Sequence, residues 1–135
     1  MTELQKLNTF FNEAFPDNKI EVLSIGQMQA TLRYPITAKE LRPGNTVSGP
    51  TLMATADAAL YAAILGEIGL VALAVTTSLN FNFLRKPESD RDIIAKCQLI
   101  KLGKSLAVGE VSLYSEGKEA MVAHAVGTYS IPPQR

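Results

Sequence analysis

The chain has 135 residues, with 13 basic and 13 acidic side chains, one His and one Cys. Its length fits one ordinary domain, and an apolar share of 47% is enough to form a packed core. Zero net charge argues against general nucleic-acid binding, and a single Cys excludes an internal disulfide framework and a Cys-rich zinc site. We therefore expect a single cytoplasmic domain over 1–135 without a secretory signal, since no apolar run follows a basic start.

The first part of the chain predicts a helix followed by a pair of strands. Thr2 can cap the helix, in which apolar residues recur at helical spacing, and Pro16-Asp17-Asn18 ends it in a turn. Two strands follow, over 20–25 and 28–34, around a turn at Gly26-Gln27. We expect these two strands to pair with each other.

A loop over 35–49 leads to a second helix, which is apolar nearly all round. Pro50 fits its first turn, where the missing N–H of proline costs no helical hydrogen bond, and the helix runs to about Gly66. A helix that is apolar on every face is normally buried. Asp57 and Glu67 interrupt the apolar run, so we do not expect it to span a membrane.

The remainder of the chain predicts four strands separated by turns. Their ranges are 71–84, 93–102, 105–114 and 120–131. In the first of them, apolar residues from Leu79 to Phe83 alternate with polar residues from Ser78 to Asn82. The predicted order is one helix, two strands, a long buried helix and four strands. This order indicates an α+β fold with one antiparallel sheet around a central helix.

Asp57 is the most informative residue of the sequence. Asp is a poor residue in the middle of a helix, and a carboxylate among Ala and Leu loses hydration, which is costly unless the group is paired. No Lys or Arg lies within one helical turn of it. The group is therefore either a structural clip bonded to a distant backbone N–H or a carboxylate kept for function.

The start of the same helix, Ser48-Gly49-Pro50, is a second candidate feature. Gly49 has no side chain to block approach, and its N–H points along the axis at the positive end of the helix dipole. Such an end can bind an anion or a developing oxyanion. The alternative interpretation is an ordinary Ser48 cap with Pro50 in the first turn.

Charge is distributed unevenly along the chain. Only two charged residues lie from Pro43 to Leu84, whereas six basic and three acidic residues lie from Arg85 to Lys104. The first segment indicates core and interface. The basic run is either a solvated hairpin face or a site for a polyanionic small molecule.

Together, these features resemble the thioesterase superfamily with the hot-dog fold, in particular its PaaI-like branch. That branch usually has His-Gly-Gly at the start of the central helix and an Asp nine residues after the His; here Ser48-Gly49-Pro50 and Asp57 occupy those places. The segments 76–87 and 117–129 are also similar, so the resemblance spans nearly the whole chain. It implies an α+β hot-dog fold, with an antiparallel sheet wrapped around a long central helix, and hydrolysis of a small or medium acyl-coenzyme A thioester.

The resemblance also implies which residues act. Asp57 would be the general base on water or the nucleophile, and the Gly49 N–H would stabilise the oxyanion. No metal or redox cofactor is implied, since coenzyme A is part of the substrate. The substrate-binding residues would be Arg42, Asn45, Ser48, Tyr61, Thr76, Thr77, Arg85, Lys86 and Lys104.

Spacing adds detail at two of these positions. Tyr61 follows Asp57 by one helical turn on the same face, so it lines the pocket or packs in the core. Thr76 and Thr77 are neighbours on a strand, so only one of them faces the helix. Alternation with Leu79 predicts that Thr77 faces the helix, whereas the family pattern also allows Thr76 in that position.

The spacing of Gly49 and Asp57 predicts a site shared between subunits. The two residues are eight positions apart, or about 12 Å along a helix. Groups that touch one thioester carbonyl should lie within about 6 Å of each other. A twofold dimer with antiparallel helices could bring Gly49 of one chain to Asp57 of the other. The resemblance likewise implies a homodimer that joins two sheets, and further a dimer of dimers.

Two other functions remain open. The first is a non-catalytic module that binds acyl-coenzyme A, favoured by Ser48 in place of the family's His and by Arg42 in place of an Asn often found there. The second is a dehydratase or isomerase of acyl thioesters, a chemistry that usually requires a His near the helix start, and none is present there. The expected partners are acyl-coenzyme A and a second copy of the chain, without nucleic acid or membrane.

Overall fold

The computed structural model describes residues 2–17 and 19–133. In these ranges the helices are α1 (Glu3–Ala14) and α2 (Gly49–Ile68). The strands are β1 (Glu21–Gly26), β2 (Gln29–Tyr34), β3 (Leu41–Arg42), β4 (Thr46–Val47), β5 (Val75–Phe83), β6 (Ile93–Leu102), β7 (Leu106–Ser115) and β8 (Met121–Ser130).

The element order predicted from the sequence is confirmed. The predicted loop over 35–49 additionally contains a short 3-10 turn, Ala38–Glu40, and the small hairpin of β3 and β4. Pro16 and Asp17 form the turn expected after α1, whereas Asn18 lies outside the described residues.

Six strands form one antiparallel sheet in the order β1-β2-β6-β7-β8-β5. The long helix α2 packs on one face of this sheet, mainly against β6, β2 and β7. The α+β architecture is therefore the predicted one, an antiparallel sheet around a long central helix. The strand β5 lies at an edge of the sheet and is paired on one side only.

Helix α1 is fixed by a cap at its N-terminus and by a side-chain contact to β1 in its second turn. Thr2 and Gln5 form a reciprocal capping box, in which Thr2 Oγ1 accepts from the Gln5 N–H and Gln5 Oε1 accepts from the Thr2 N–H. The side-chain amide of Asn8 pairs with both backbone groups of Val22 on β1, at 2.9 and 3.0 Å. These contacts carry the C-terminal end of α1, with the buried ring of Phe11, towards α2.

Helix α2 is the core of the molecule. It is long and apolar enough to cross a membrane, but more than half of it is buried within the protein, which is the pattern of a core helix. Ser48 is its N-cap and accepts from the Thr51 N–H at 3.3 Å. At the other end, Gly69 adopts a φ of +90° and donates its N–H to Leu65.

Two glycines in the sheet allow α2 to pack close to it. Gly109 on β7 and Gly127 on β8 are register partners, and the side chain of Leu60 lies over both of them. A Cβ would lie 2.8 Å from Leu60 at Gly109 and 2.5 Å from Leu60 at Gly127, closer than side chains approach. Because Leu60 follows Asp57 by three residues, this close approach also determines the position of Asp57.

Candidate active site

The carboxylate of Asp57 is bonded to two hydroxyl groups from other elements. Asp57 Oδ1 accepts from Thr76 Oγ1 on β5 at 2.5 Å and from the Tyr129 hydroxyl on β8 at 2.8 Å. The same Tyr129 hydroxyl lies 3.2 Å from the backbone carbonyl oxygen of Asp57. The partners that the sequence required are therefore hydroxyls, and not a cation or a backbone N–H.

The second carboxylate oxygen of Asp57 has a different environment. Within the described part of the chain, no hydrogen bond reaches Oδ2. Asp57 itself is half-buried and lines a cleft of about 390 Å³. One oxygen is thus held by the protein, and the other is available to a substrate or a water molecule.

This cleft, called here the Asp57 cleft, has walls that are otherwise apolar. They include Phe11, Phe15, Ala58, Tyr61, Ala74 and Val75. The ring of Phe15 meets Tyr61 edge-on at 6.2 Å between centroids, so the end of α1 forms one side of the cleft. The walls can therefore accept an apolar group beside the carboxylate.

Two buried tyrosines form the base of the Asp57 cleft. The rings of Tyr61 and Tyr129 are stacked, with centroids 5.9 Å apart and an angle of 18°. The Tyr61 hydroxyl donates to the Ala72 carbonyl at 3.0 Å. Burial raises the pKa of both phenols, and the charge of Asp57 raises that of Tyr129 further. Both hydroxyls therefore remain protonated donors at neutral pH.

The start of α2 lines a separate cleft of about 520 Å³, called here the Gly49 cleft. A Cβ at Gly49 would lie 3.3 Å from the ring of Phe83, so glycine leaves room beside the helix end. The Gly49 N–H belongs to the first turn, which has no intrahelical acceptor. Three exposed cations also line this cleft: Arg42, Arg85 and Lys86.

The single chain does not bring Asp57 and Gly49 together. The helix is continuous between them, which separates them by about 12 Å along its axis. None of the residues that the structure describes lines both clefts. Val75 lines one and Phe83 the other, and these residues are the two ends of β5, about 26 Å apart at strand spacing.

The prediction that Thr77 faces the helix is wrong. Thr76 bonds to Asp57, whereas the Thr77 hydroxyl donates to the Thr128 carbonyl at 3.3 Å. The register of β5 against β8 shifts between Thr76 and Ser78, so one extra residue changes which side chains share a face. The alternation of faces that holds at Leu79 therefore does not predict which side chains face the helix on the N-terminal side of this irregularity.

Lys104 does not lie with Arg85 and Lys86, although all three were predicted to bind the substrate. It lines a groove with Ile68 and Ser130, and Ser130 is the register partner of Val75. Lys104 is therefore at the Val75 end of the sheet, and Arg85 follows the Phe83 end. Sequence proximity within a basic run does not place residues together when a long strand, here β6, runs between them.

Two further predicted residues have structural contacts. The side-chain amide of Asn45, whose φ is +58°, donates to Ser89 Oγ at 3.1 Å and joins the β3–β4 hairpin to the loop after β5. The hydroxyl of Ser48 lies 2.8 Å from the hydroxyl of Thr51, within the helix cap. Neither residue lines the Gly49 cleft, although both were predicted to bind the substrate, because their side chains are engaged in these local contacts.

Tyr129 was not among the predicted site residues. The signal that identifies it is its register pairing with Thr76 across β5 and β8, which brings two hydroxyls to the same carboxylate oxygen. Among residues 2–17 and 19–133, no group of three His, Cys, Asp or Glu side chains could hold a metal ion.

The chain is similar to known proteins of one family. A family model described as the thioesterase superfamily matches residues 44–122. A candidate thioesterase from Silicibacter sp. TM1040 is 43% identical, with a TM-score of 0.89 over 98% of this chain and 94% of that one. A mutant of the phenylacetic acid degradation protein PaaI from Thermus thermophilus is 26% identical, with a TM-score of 0.74 over 90% and 98% of the two chains.

A curated relative agrees with these structures. A candidate esterase from Thermoplasma acidophilum is 26% identical over 113 residues, which are 84% of this chain and 83% of that protein. The hot-dog fold and the PaaI-like resemblance predicted from the sequence are confirmed.

Proposed function

Because the chain belongs to the thioesterase superfamily, we propose that it hydrolyses the thioester of a small or medium acyl-coenzyme A. Membership of this family, and relatives named as thioesterases or esterases, support thioester hydrolysis as the reaction. The observation that carries the proposal is Asp57, with Oδ1 bonded to two hydroxyls and Oδ2 free on the wall of an apolar cleft.

In this proposal Asp57 Oδ2 acts in one of two ways. It removes a proton from a water molecule whose oxygen attacks the thioester carbonyl carbon, or it attacks that carbon itself to form a mixed anhydride, which water hydrolyses after the thiolate has left. The carbonyl oxygen becomes negatively charged as the new bond forms. The Gly49 N–H, at the positive end of the α2 dipole, stabilises that charge. Collapse of the intermediate expels the coenzyme A thiolate.

The proposed site is formed by two chains, since one chain separates the two functional groups. The edge strand β5 is exposed along most of its length, including Val75 and Phe83 at 54% and 56%. An exposed apolar edge favours pairing with another strand. If two β5 strands pair antiparallel across a twofold axis, the Phe83 end of one chain meets the Val75 end of its partner. The Gly49 cleft of one chain then adjoins the Asp57 cleft of the other.

The same dimer explains the distribution of cations. Arg42, Arg85 and Lys86 would bind the phosphates of coenzyme A beside the Gly49 N–H. Since Lys104 lies at the Val75 end of its own sheet, Lys104 of the partner subunit would approach the same substrate from the opposite side. Association of two such dimers, and a cytoplasmic location, complete the proposal.

A second candidate function is binding of acyl-coenzyme A without hydrolysis. It is favoured by the Ser48 hydroxyl, which is engaged with Thr51 in the helix cap and stands where the family usually has a His. Arg42 stands in place of the usual Asn. It adds a positive charge to the Gly49 cleft, and the side-chain amide of the usual Asn is lost.

Hydrolysis of a panel of acyl-coenzyme A thioesters, followed by thiol release, distinguishes the two functions. The panel should run from short to medium aliphatic chains and include aryl groups. Turnover in the wild type that disappears in Asp57→Asn supports the enzyme. Saturable binding without thiol release for every member of the panel supports the binding module.

A further inference from the structure

Tyr129 on β8 contacts both the side chain and the backbone of Asp57. It is 4% exposed, and its hydroxyl lies 2.8 Å from Asp57 Oδ1 and 3.2 Å from the Asp57 carbonyl oxygen. One donor thus spans the side chain and the backbone of the same residue. This contact restricts rotation of the Asp57 carboxylate relative to its own helix.

The Tyr129 hydroxyl is itself held in place by its surroundings. Its ring stacks on Tyr61, whose hydroxyl is anchored to the Ala72 carbonyl at 3.0 Å. Its strand pairs with β5 so that Tyr129 and Thr76 are register partners. Two hydroxyls from adjacent strands therefore converge on Oδ1 from positions that the sheet determines.

We propose that Tyr129 is a positioning residue for the thioester hydrolysis proposed above. By bonding Oδ1 and the backbone carbonyl of Asp57, it leaves Oδ2 as the one carboxylate oxygen that faces the cleft. Thr76 shares Oδ1 but is exposed, so it lacks the burial that holds Tyr129 in one orientation. The proposal rests on the proposed function, because a positioning role requires that Asp57 acts on substrate.

The charged groups near Asp57 are few, which makes its environment simple to test. The titratable groups that face it are Tyr61 on its own helix and Tyr129 on β8. The described residues of α1, of β5 and of the segment before β5 that line the cleft carry no ionisable side chain. Loss of the Tyr129 hydroxyl therefore removes one hydrogen bond from Asp57 without changing the charges that face it.

The experiment compares Tyr129→Phe with Tyr114→Phe. Both changes remove a phenolic hydroxyl and keep the ring, but only the first removes a donor from Asp57, because Tyr114 lies on β7 and lines neither cleft. We expect Tyr129→Phe to lower kcat by about tenfold to a hundredfold, the range for a hydrogen bond to a charged group, with KM changed by less than about threefold. Tyr114→Phe should leave both kcat and KM at their wild-type values.

A spectroscopic measurement tests the contact without turnover. The carbon-13 resonance of the Asp57 carboxyl in the substrate-free protein at neutral pH should change in Tyr129→Phe and stay in place in Tyr114→Phe. Equal changes of kcat and of the carboxyl resonance in the two variants would overturn the proposal. A Tyr129→Phe chain that does not fold would also overturn it, in favour of a purely structural role. If the wild type hydrolyses no thioester of the panel, the proposed function fails and the positioning role with it. Wild-type turnover with an unaltered kcat in Tyr129→Phe refutes the positioning role alone.

Discussion

The Asp57 cleft and the Gly49 cleft lie at opposite ends of β5 and differ in how their polar groups are used. In the Asp57 cleft the hydroxyls of Tyr61, Thr76 and Tyr129 all have acceptors within the chain. In the Gly49 cleft the cations are exposed and the helix N–H has no intrahelical acceptor.

Under the proposed function, this difference corresponds to two tasks. A carboxylate that acts on a carbonyl must have its orientation set before the substrate arrives, and hydrogen bonds to hydroxyls of the same chain can set it. Phosphate groups of a long, flexible substrate can be recognised by exposed side chains that adjust to them. The expected effects of substitution are therefore large and specific in the Asp57 cleft, and moderate and charge-dependent in the Gly49 cleft.

Asp57→Asn should produce the largest effect. The amide keeps the volume and the oxygen that accepts from Thr76 and Tyr129, but it loses the charge on the free atom. We expect kcat to fall by about a hundredfold or more, as loss of a general base does. The oligomeric state should be unchanged, and thermal unfolding should occur at the same temperature or higher. A variant that dissociates or unfolds while its folded fraction retains full turnover would make Asp57 a structural clip.

Thr76→Val and Thr77→Val form a matched pair of neighbours in the same strand. Only Thr76 donates to Asp57, so Thr76→Val should lower kcat by about tenfold, and Thr77→Val should have a much smaller effect. Steady-state kinetics on one acyl-coenzyme A checks both variants. Equal losses of kcat in the two variants would mean that the hydrogen bond from Thr76 to Asp57 is not what matters for the reaction.

Combined neutralisation by Arg85→Ala and Lys86→Ala probes the other cleft. We expect KM for acyl-coenzyme A to rise by about tenfold with kcat little changed, because charge-assisted contacts to phosphate are lost. KM for an acyl-pantetheine, which lacks the nucleotide phosphates, should change much less. Lys101→Ala is the control, because Lys101 lies on β6 and lines neither cleft. An equal rise for both substrates would assign these cations a role other than phosphate binding.

Phe15→Ala should have the smallest effect. It should change the preference for acyl-chain length more than the overall rate of hydrolysis. Removal of the ring opens the end of the Asp57 cleft, so longer acyl chains should gain several-fold in kcat/KM over shorter ones, since each buried methylene contributes about 0.8 kcal/mol. Phe10→Ala is the control, because Phe10 packs on the Tyr61 ring without lining the cleft. An identical chain-length profile in the two variants would remove α1 from the acyl-binding surface.

Local patterns in the sequence predicted the helices, the four long strands and the exceptional position of Asp57. These features depend on residues a few positions apart, such as the capping of α1 and the apolar surroundings of the carboxylate in α2. Hydrophobic periodicity and the low cost of Pro50 in a first helical turn are properties of the chain itself. They identified a carboxylate in need of a partner without identifying the partner.

The donors to Asp57 were decided by tertiary structure. Tyr129 lies 72 positions from Asp57, and it reaches the carboxylate because β8 pairs with β5 in one register and Leu60 lies in the space above two glycines. A single irregularity in that register exchanged the roles of Thr76 and Thr77. Strand register and helix height depend on packing between distant segments, so no local window of the sequence could reveal which hydroxyls meet the carboxylate.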